Sequence, residues 1–531
     1  MRITCLGAAR TVTGAAFMID TDRKSTFLVD CGMHQGGRQT EQRNWSMGLY
    51  RIPDLDGIFI THAHIDHSGL VPRLVRQGYR GPIYVTQATA ELLEILWLDA
   101  AHIQEMEAEW QTRKNKRRGK RTAEPLYETS DAEKAARLLK PIALDKTEEL
   151  LPGVTVRFVS AGHILGAASL HLTVEEPQNR TCLGFSGDIG RPDQLILPNP
   201  EQLPTLDYVF METTYGGRRH KSLEDSQAEL LQVIQQAYRE QGKVIIPAFA
   251  VERTQEIIYC LARAYEQGEL PADMPVYLDS PLAIKATEIF RRHPELMDEE
   301  AQNLLNQGQT PINLPTLIAT PTTADSQRIN DVAGPAIIIS GSGMANAGRI
   351  KHHLKHNLWR SNCHVVIVGF QAEGTPGRSL VDGARKINLL GEEVIIKAKI
   401  HTIGGFSAHA DQEELLTWLA PLVHPGLSVF LIHGEESASL AFRQVAESRF
   451  PEVHFHVPYW KETFTITTPR PAGETAPSAP VIAPADLTPW IDSISRRLTG
   501  LSSRLTATQA IGVDRSALEA ALEQVEKIIK V

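Results

Sequence analysis

The chain has 531 residues, long enough for two or three domains and a generous core. Hydrophobic residues make up 42 % and charged residues 22 %, the balance of a soluble globular protein; a formal net charge of −9 advertises no global attraction to nucleic acid, although a local basic surface is compatible with it. The opening stretch MRITCLGAAR has neither a long apolar run nor a small-residue cleavage site, so neither secretion nor membrane insertion is expected; Cys5, Cys31, Cys182, Cys260 and Cys363 stand far apart without a CxxC pair, which speaks against a disulfide framework and for a reducing cytoplasm.

In chain order, RITCLGA, GAAFMID and STFLVDCG read as short β-rich runs bounded by Gly and Asp, expected to form an antiparallel sheet. DGIFITHAH reads as a further buried strand, ending where the histidines begin. A helical pattern runs from about Ala88 to Trp110 and leads into the basic run RKNKRRGKR. Strands are expected at 154–160, 168–175 and 181–186, ending in loops that carry His163 and Asp188. From about 209 the rhythm changes: KVIIPAFAV leads into a helix at 252–266, MPVYLDS into one at 281–292 and PAIIISGSG into one at 346–358, which predicts a parallel α/β sheet. Strands return over 391–468 with two helices between them. The simplest partition is a sheet-rich domain, 1–208 and 391–468, interrupted by an inserted α/β domain, 209–390. Residues 469–486, rich in Pro and Ala, read as a stiff extended linker, and 487–531 carry helical periodicity for which a homodimer contact and an idle tail are equal readings.

The segment FITHAHIDHSGL packs His62, His64, Asp66 and His67 into six positions. Imidazole and carboxylate suit zinc, and the lack of cysteine ligands fits a catalytic centre better than a structural one; the bland alternative is a polar loop. VSAGHILGAAS and LGFSGDIGRP repeat the pattern of a strand delivering one candidate, His163 or Asp188, into a glycine loop. Together these segments resemble the metallo-β-lactamase superfamily, whose αββα sandwich gathers such loops at one edge. Asp30 in FLVDCG matches that superfamily's first motif, a carboxylate behind the ligands. The resemblance implies two Zn2+ per chain. His62, His64, His163 and Asp188 would hold the first; Asp66, His67 and a bridging Asp188 the second, closed by His433 of VFLIHGEES.

Two neighbouring zinc ions acidify a water and clamp an oxyanion, chemistry that serves phosphoesters, thioesters and lactams alike. The inserted segment narrows the choice. Glu212 in FMETTYGGRRH, Ser407 and His409 in GGFSAHADQEEL, and His433 resemble motifs A, B and C of the β-CASP nucleases. IPAFAVERTQE, LDSPLA, SGSGMANAGRIKHHL and GFQAEGTPGRSL are also similar to stretches of that family's insertion. The resemblance spans roughly residues 1–468 and implies an α/β fold, a metallo-β-lactamase αββα sandwich with an inserted β-CASP α/β domain. Within the family a histidine at motif C is typical of RNA-cleaving members, so single-stranded RNA is the implied partner. The implied reaction leaves 5′-phosphate and 3′-hydroxyl ends, with Asp66 orienting the attacking water and His409, held by Glu212, protonating the leaving oxygen. A plain ion pair at Glu212 and a loop cap at His409 are the bland readings.

For the polymer, SGSGM could aim Ser340, Ser342 and glycine amides at phosphate, or simply be a packing turn. Ser407, Arg253 at a helix start and Arg378 in GTPGRSL are further candidates by resemblance. The basic run, with Arg113, Lys114, Lys116, Arg117 and Arg118, reads either as a solvated loop or as a phosphate track whose grip weakens with salt. His352 and His356 stand at a zinc-compatible spacing without an acidic partner close in sequence, which favours a basic face near RNA. Three rivals fit less well. A small-molecule hydrolase of the superfamily lacks such an insertion, a scaffold that has lost its ligands does not match a chain that keeps them, and His433 counts against a DNA nuclease.

Overall fold

The computed structural model describes residues 1–466 apart from 178, 370, 372 and 373; the expected linker and helical C-terminal segment lie outside the described residues. The chain begins with β1 Arg2–Cys5, β2 Phe17–Asp20, β3 Thr26–Val29, β4 Leu55–Phe59, β5 Ile83–Thr86 and β6 Leu139–Ile142. Then come β7 Thr147–Leu151, β8 Val154–Ser160, β9 Ala168–Glu175, β10 Arg180–Phe185 and β11 Tyr208–Glu212. The middle of the chain holds β12 Lys243–Pro247, β13 Val276–Leu278, β14 Leu317–Ala319, β15 Ala336–Ser340 and β16 His364–Ile367. After these come β17 Lys386–Leu389, β18 Glu392–Ile395, β19 Lys399–Thr402, β20 Ser428–Ile432, β21 His454–His456 and β22 Thr463–Thr465.

Two seven-stranded sheets, ordered β22-β1-β2-β3-β4-β5-β6 and β21-β20-β11-β10-β9-β8-β7, face each other. Their inner sides bury Phe27, Val29 and Phe59 from the first against Phe158, Leu170, Phe185, Phe210 and Phe430 from the second. Phe185, Phe210 and Phe430 stack in a row with centroids 4.6 Å apart. Helices cover both outer faces. Leu92, Leu93 and Trp97 of the helix Gln87–Lys116 pack with Ile58, Ile83 and Val85, while Leu415, Leu419 and Phe442 pack with Val209, Val429 and Leu431. The result is the αββα sandwich that the motifs implied.

The first sheet is only partly antiparallel. β1, β2 and β3 pair as expected, but β3, β4, β5 and β6 are parallel. Parallel neighbours need long crossovers, and the connections into β4, β5 and β6 carry helices, including the 30-residue Gln87–Lys116. The third sheet, β14-β13-β15-β12-β16-β19, is parallel throughout, with continuous buried runs such as Ile337–Ile339 that only a sheet covered on both faces tolerates. Strand membership departs from the expected partition at both ends. β11 pairs with β10 and β20 in the sandwich, and β19 pairs with β16 in the parallel sheet. A change in rhythm marks where helices begin to alternate with strands, but not which strand finds which neighbour.

Because β11 and β20 are parallel neighbours, the whole insertion leaves the sandwich at one strand and re-enters beside it, with Glu212 paired to Ile432. The long helix also touches the insertion, where Glu91 pairs with Arg292 at 2.9 Å and His293 at 3.1 Å. It continues to Lys116, past the expected end, and so takes in Arg113, Lys114 and Lys116. Among the described residues no helix is long and apolar enough to cross a membrane.

Candidate metal centre

Parallel strands that end in register deliver their following residues to one edge. β3 and β4 stop level with each other, Val29 opposite Phe59, and lead to Asp30 and to the Thr61–His62 turn. β10, β11 and β20 run side by side and lead to Asp188, Glu212 and His433. Beyond His64 the chain makes one helical turn, Ile65–Ser68, which carries Asp66 and His67. This turn is sewn to residues 31–33: Cys31 N–H donates to the His67 carbonyl and Met33 N–H to that of Ile65, both within 2.9 Å. Gly32 makes the approach possible, since a Cβ there would lie 1.6 Å from the Asp66 carbonyl oxygen. Asp30 and His433 both sit at positive φ, +58° and +45°, a backbone conformation uncommon away from glycine that aims side chains at functional sites.

The candidates gather in two adjoining groups. In the first, His64 Nδ1 lies 3.1 Å from His62 Nε2 and 3.3 Å from His163 Nε2. Asp188 Oδ2 is 3.4 Å from His62 Nε2 and 3.5 Å from His163 Nε2. In the second, His67 Nε2 lies 3.0 Å from His433 Nε2, which is 3.6 Å from Asp66 Oδ2. Asp188 Oδ1 is 3.2 Å from His67 Nε2 and 3.2 Å from His433 Nδ1, so this carboxylate gives one oxygen to each group. His62, His67, His163, Asp188 and His433 are all buried.

Burial, then the neighbouring His67, lowers the pKa of His62 to about 3, against the pull of Asp188. Burial likewise lowers His64 to about 4 and takes His163 well below the usual range. These three rings therefore present bare lone pairs at neutral pH. His67 goes the other way: burial opposes its charge, but Asp188 and Asp30 outweigh it. Asp66 would be raised by burial, yet His433 and His67 hold it below the ordinary carboxylate range.

A metal fits this arrangement. An ion with metal–nitrogen distances near 2.0 Å separates tetrahedral ligand atoms by about 3.3 Å, and the first group spans 3.1–3.5 Å. Asp188 Oδ1 is buried without a hydrogen-bond donor, an acceptor in want of a cation. The donors are nitrogen and oxygen throughout, as suits zinc in a catalytic setting.

Behind these candidate ligands, other groups fix the far ring nitrogens. Asp30 Oδ2 lies 2.7 Å from His67 Nδ1 and itself accepts from the Thr61 hydroxyl at 2.9 Å; its Oδ1 accepts from the Thr61 amide at 2.8 Å. Thr61 Oγ1 is 3.1 Å from His62 Nδ1, the Ala408 carbonyl is 3.3 Å from His163 Nδ1, and Thr214 Oγ1 is 3.2 Å from His433 Nδ1. Sequence reasoning missed Thr61, Ala408 and Thr214. Only adjacency could have flagged the first, which directly precedes His62.

Glu212 is wholly buried at the inner end of β11. Its Oε1 accepts from the Ile189 amide at 2.6 Å and stands 3.2 Å from His409 Nδ1; its Oε2 accepts from the Thr214 amide at 3.2 Å. His409 Nδ1 is also 3.9 Å from Asp188 Oδ2. Burial disfavours the imidazolium, but the carboxylates of Glu212 and Asp188 outweigh it and bring His409 up to about 9. The loop bearing His409 is clamped by Arg191, whose amide donates to the Ala408 carbonyl and whose guanidinium donates to that of Gly405, and by His220, whose ring donates to the His409 carbonyl at 3.1 Å.

The polymer candidates scatter more widely. Ser407 is buried, as is Ser340, whose hydroxyl donates to the Asp279 carbonyl at 2.8 Å. Arg253 is buried with its guanidinium on Glu256, so neither Arg253 nor Ser340 presents its polar end at a surface. Ser342 is partly exposed and donates to Asn346, and Arg378 is exposed beside Asp382. Arg113, Lys116, Arg117 and Arg118 are exposed at the end of the long helix, and Lys114 lies over the Trp110 ring. His352 and His356 belong to none of the metal-compatible clusters among the described residues.

Residues 9–235 match the family model of the metallo-beta-lactamase superfamily, residues 254–380 that of the Beta-Casp domain, and residues 393–458 that of the Zn-dependent metallo-hydrolase RNA specificity domain. Ribonuclease TTHA0252 of Thermus thermophilus is 37 % identical over 453 residues, covering 85 % of this chain and 97 % of that protein. Transcription termination factor FttA of Methanocaldococcus jannaschii is 31 % identical over 459 residues, and that of Thermococcus kodakarensis 31 % over 469, each match covering 85 % of this chain and 69 % of the relative. A likeness that runs almost end to end through a relative, over the same sandwich and insertion, leaves one conclusion: the chain belongs to the β-CASP family of the metallo-β-lactamase superfamily and is a metal-dependent hydrolase.

Proposed function

We propose that the chain is a zinc-dependent ribonuclease that hydrolyses phosphodiester bonds of single-stranded RNA and leaves 5′-phosphate and 3′-hydroxyl ends. The observation that carries this reading is the His409–Glu212 pair, 3.2 Å apart, with the imidazole reaching within 3.9 Å of Asp188. A proton-bearing ring thus stands directly against the ligand cluster. The description of the third matched model and the name of the Thermus relative support RNA as the substrate.

His62, His64, His163 and Asp188 would hold one zinc ion and Asp66, His67, Asp188 and His433 a second, and the pair would supply acidified water and neutralise charge on the phosphate. Asp66 accepts a hydrogen bond from the attacking water and aligns its lone pair with phosphorus. Glu212 engages His409 Nδ1, which fixes the ring and leaves Nε2–H to face the leaving group. As the bond from phosphorus to the 3′-oxygen breaks, that proton passes from Nε2 to the oxygen. One product then ends in a 3′-hydroxyl and the phosphate stays on the 5′ end of the other. Ser407, Ser342, Arg378 and the basic end of the long helix guide the polymer, while Arg253 and Ser340 shape the loops from within.

The test is incubation of zinc-loaded protein with end-labelled single-stranded RNA, the matching DNA and a thioester. RNA cleavage with 5′-phosphate products is expected. Faster cleavage of DNA, or thioester turnover with intact RNA, overturns the reading.

A further inference from the structure

Phe249 follows β12 in the loop that leads to the helix Arg253–Glu266, at the carboxyl edge of the parallel sheet, where α/β proteins bind ligands. Its side chain escapes the core: the residue is 41 % exposed. The ring centroid lies 6.4 Å from that of His64. Its inward side rests on the main chain of Gly343, where an added Cβ would come within 2.8 Å of the ring. Glycine at that position therefore lets the ring lie flat on backbone. The loop itself is pinned, because the Phe249 carbonyl accepts from the Thr254 hydroxyl at 2.7 Å and the Ala248 amide donates to the Ser340 carbonyl at 3.1 Å.

An exposed aromatic ring held rigidly forfeits part of the stabilisation that burial of such a side chain yields, and an occupant that covers it recovers this. Each nucleotide carries beside its phosphate a flat group with the right face. Bases stack on aromatic side chains with little regard for sequence. Inside a duplex both faces of a base are already covered by its neighbours, whereas an unpaired base has a face to offer.

We infer that Phe249 is the stacking platform for a base flanking the phosphodiester to be cut, and that it confers selectivity for single strands. The inference rests on the ribonuclease reading and adds the contact that recognises an unpaired strand. It is tested by fluorescence anisotropy with labelled RNA oligonucleotides, intact or carrying one abasic site stepped along the strand. The zinc-loaded full chain carries His409→Ala so that cleavage does not outrun binding, alone and combined with Phe249→Ala or Phe249→Trp. Loss of the ring should weaken binding of intact RNA about 5- to 100-fold, and tryptophan should restore it. One abasic position should erase the difference between phenylalanine and alanine. Equal binding with and without the ring overturns the inference, as does a loss that is the same on every abasic strand, which would mark the ring as mere support for the Gly343 loop. If the ring governs binding while the unmodified enzyme cuts no RNA, the ribonuclease reading falls and the platform stands; if RNA is cut but binding ignores the ring, the reverse holds.

Discussion

His409 touches Glu212 through its ring and His220 through its carbonyl, so one contact sets its charge and the other its position. If its work is proton transfer, His409→Ala should lower kcat by about 10²–10⁴ with zinc content by elemental analysis undiminished. Zinc lost together with activity would make the residue a ligand instead. Asp30 touches no reacting atom but orients His67 and Thr61. Asp30→Asn should weaken zinc binding about 10- to 100-fold in competition with a chelator, and unchanged affinity would contradict that role. Sequence reading singled out the histidines, Asp66 and Asp188 because so few side chains bind zinc and they recur after strands. Thr61, Thr214 and Ala408 were invisible because a hydroxyl or a carbonyl does such work in any context, and only the folded chain says which of them faces a ring nitrogen. Arg253 and Ser340 erred in the other direction: one opens a helix and the other ends a strand, places that suit phosphate, yet their polar ends are engaged by Glu256 and Asp279.

The long helix Gln87–Lys116 makes two predictions, one at each end. Its basic end, exposed at Arg117 and Arg118, should contribute to RNA affinity through counterion release. Replacing both by serine should flatten the plot of log affinity against log salt by about 1.4, and an unaltered slope would return this segment to ordinary solvated surface. Near its start, Glu91 meets Arg292 and His293 of the insertion. Burial pushes the Glu91 carboxyl up, but the Gln87 amide, the His293 ring and the Arg292 guanidinium outweigh it and hold it below the usual range. A carboxyl depressed on folding adds stability above its unfolded pKa and loses it as the pH falls through the folded one. Glu91→Gln should therefore cost about 0.5–1 kcal/mol near neutral pH, and denaturant melts of variant and wild type should converge below about pH 4; a constant gap would mean that packing, not charge, is at stake. Elements such as β8 were legible because alternating burial writes itself into the residues. The parallel pairing of β4 with β5 was not, since their residues are equally apolar in either direction and only the crossover decides it.

At the scale of the molecule, candidate ligands from both halves of the sandwich meet at Asp188, so an ion bound there would tie the halves together. Metal that binds only the folded chain adds about 4 kcal/mol at a thousandfold excess over its Kd. Chelation should lower the melting temperature by calorimetry and added zinc should restore it; an unmoved transition would separate the cluster from stability. The splice of the insertion between β11 and β20 has a further consequence, in time. Thr214 and His433 touch although 219 residues separate them. At about 5–20 residues per second a ribosome needs roughly ten to forty seconds to make that stretch. A nascent chain that already displays the six earlier candidates, His62 to Asp188, therefore still lacks His433, and any activity that needs the second group closed waits until translation has passed the insertion.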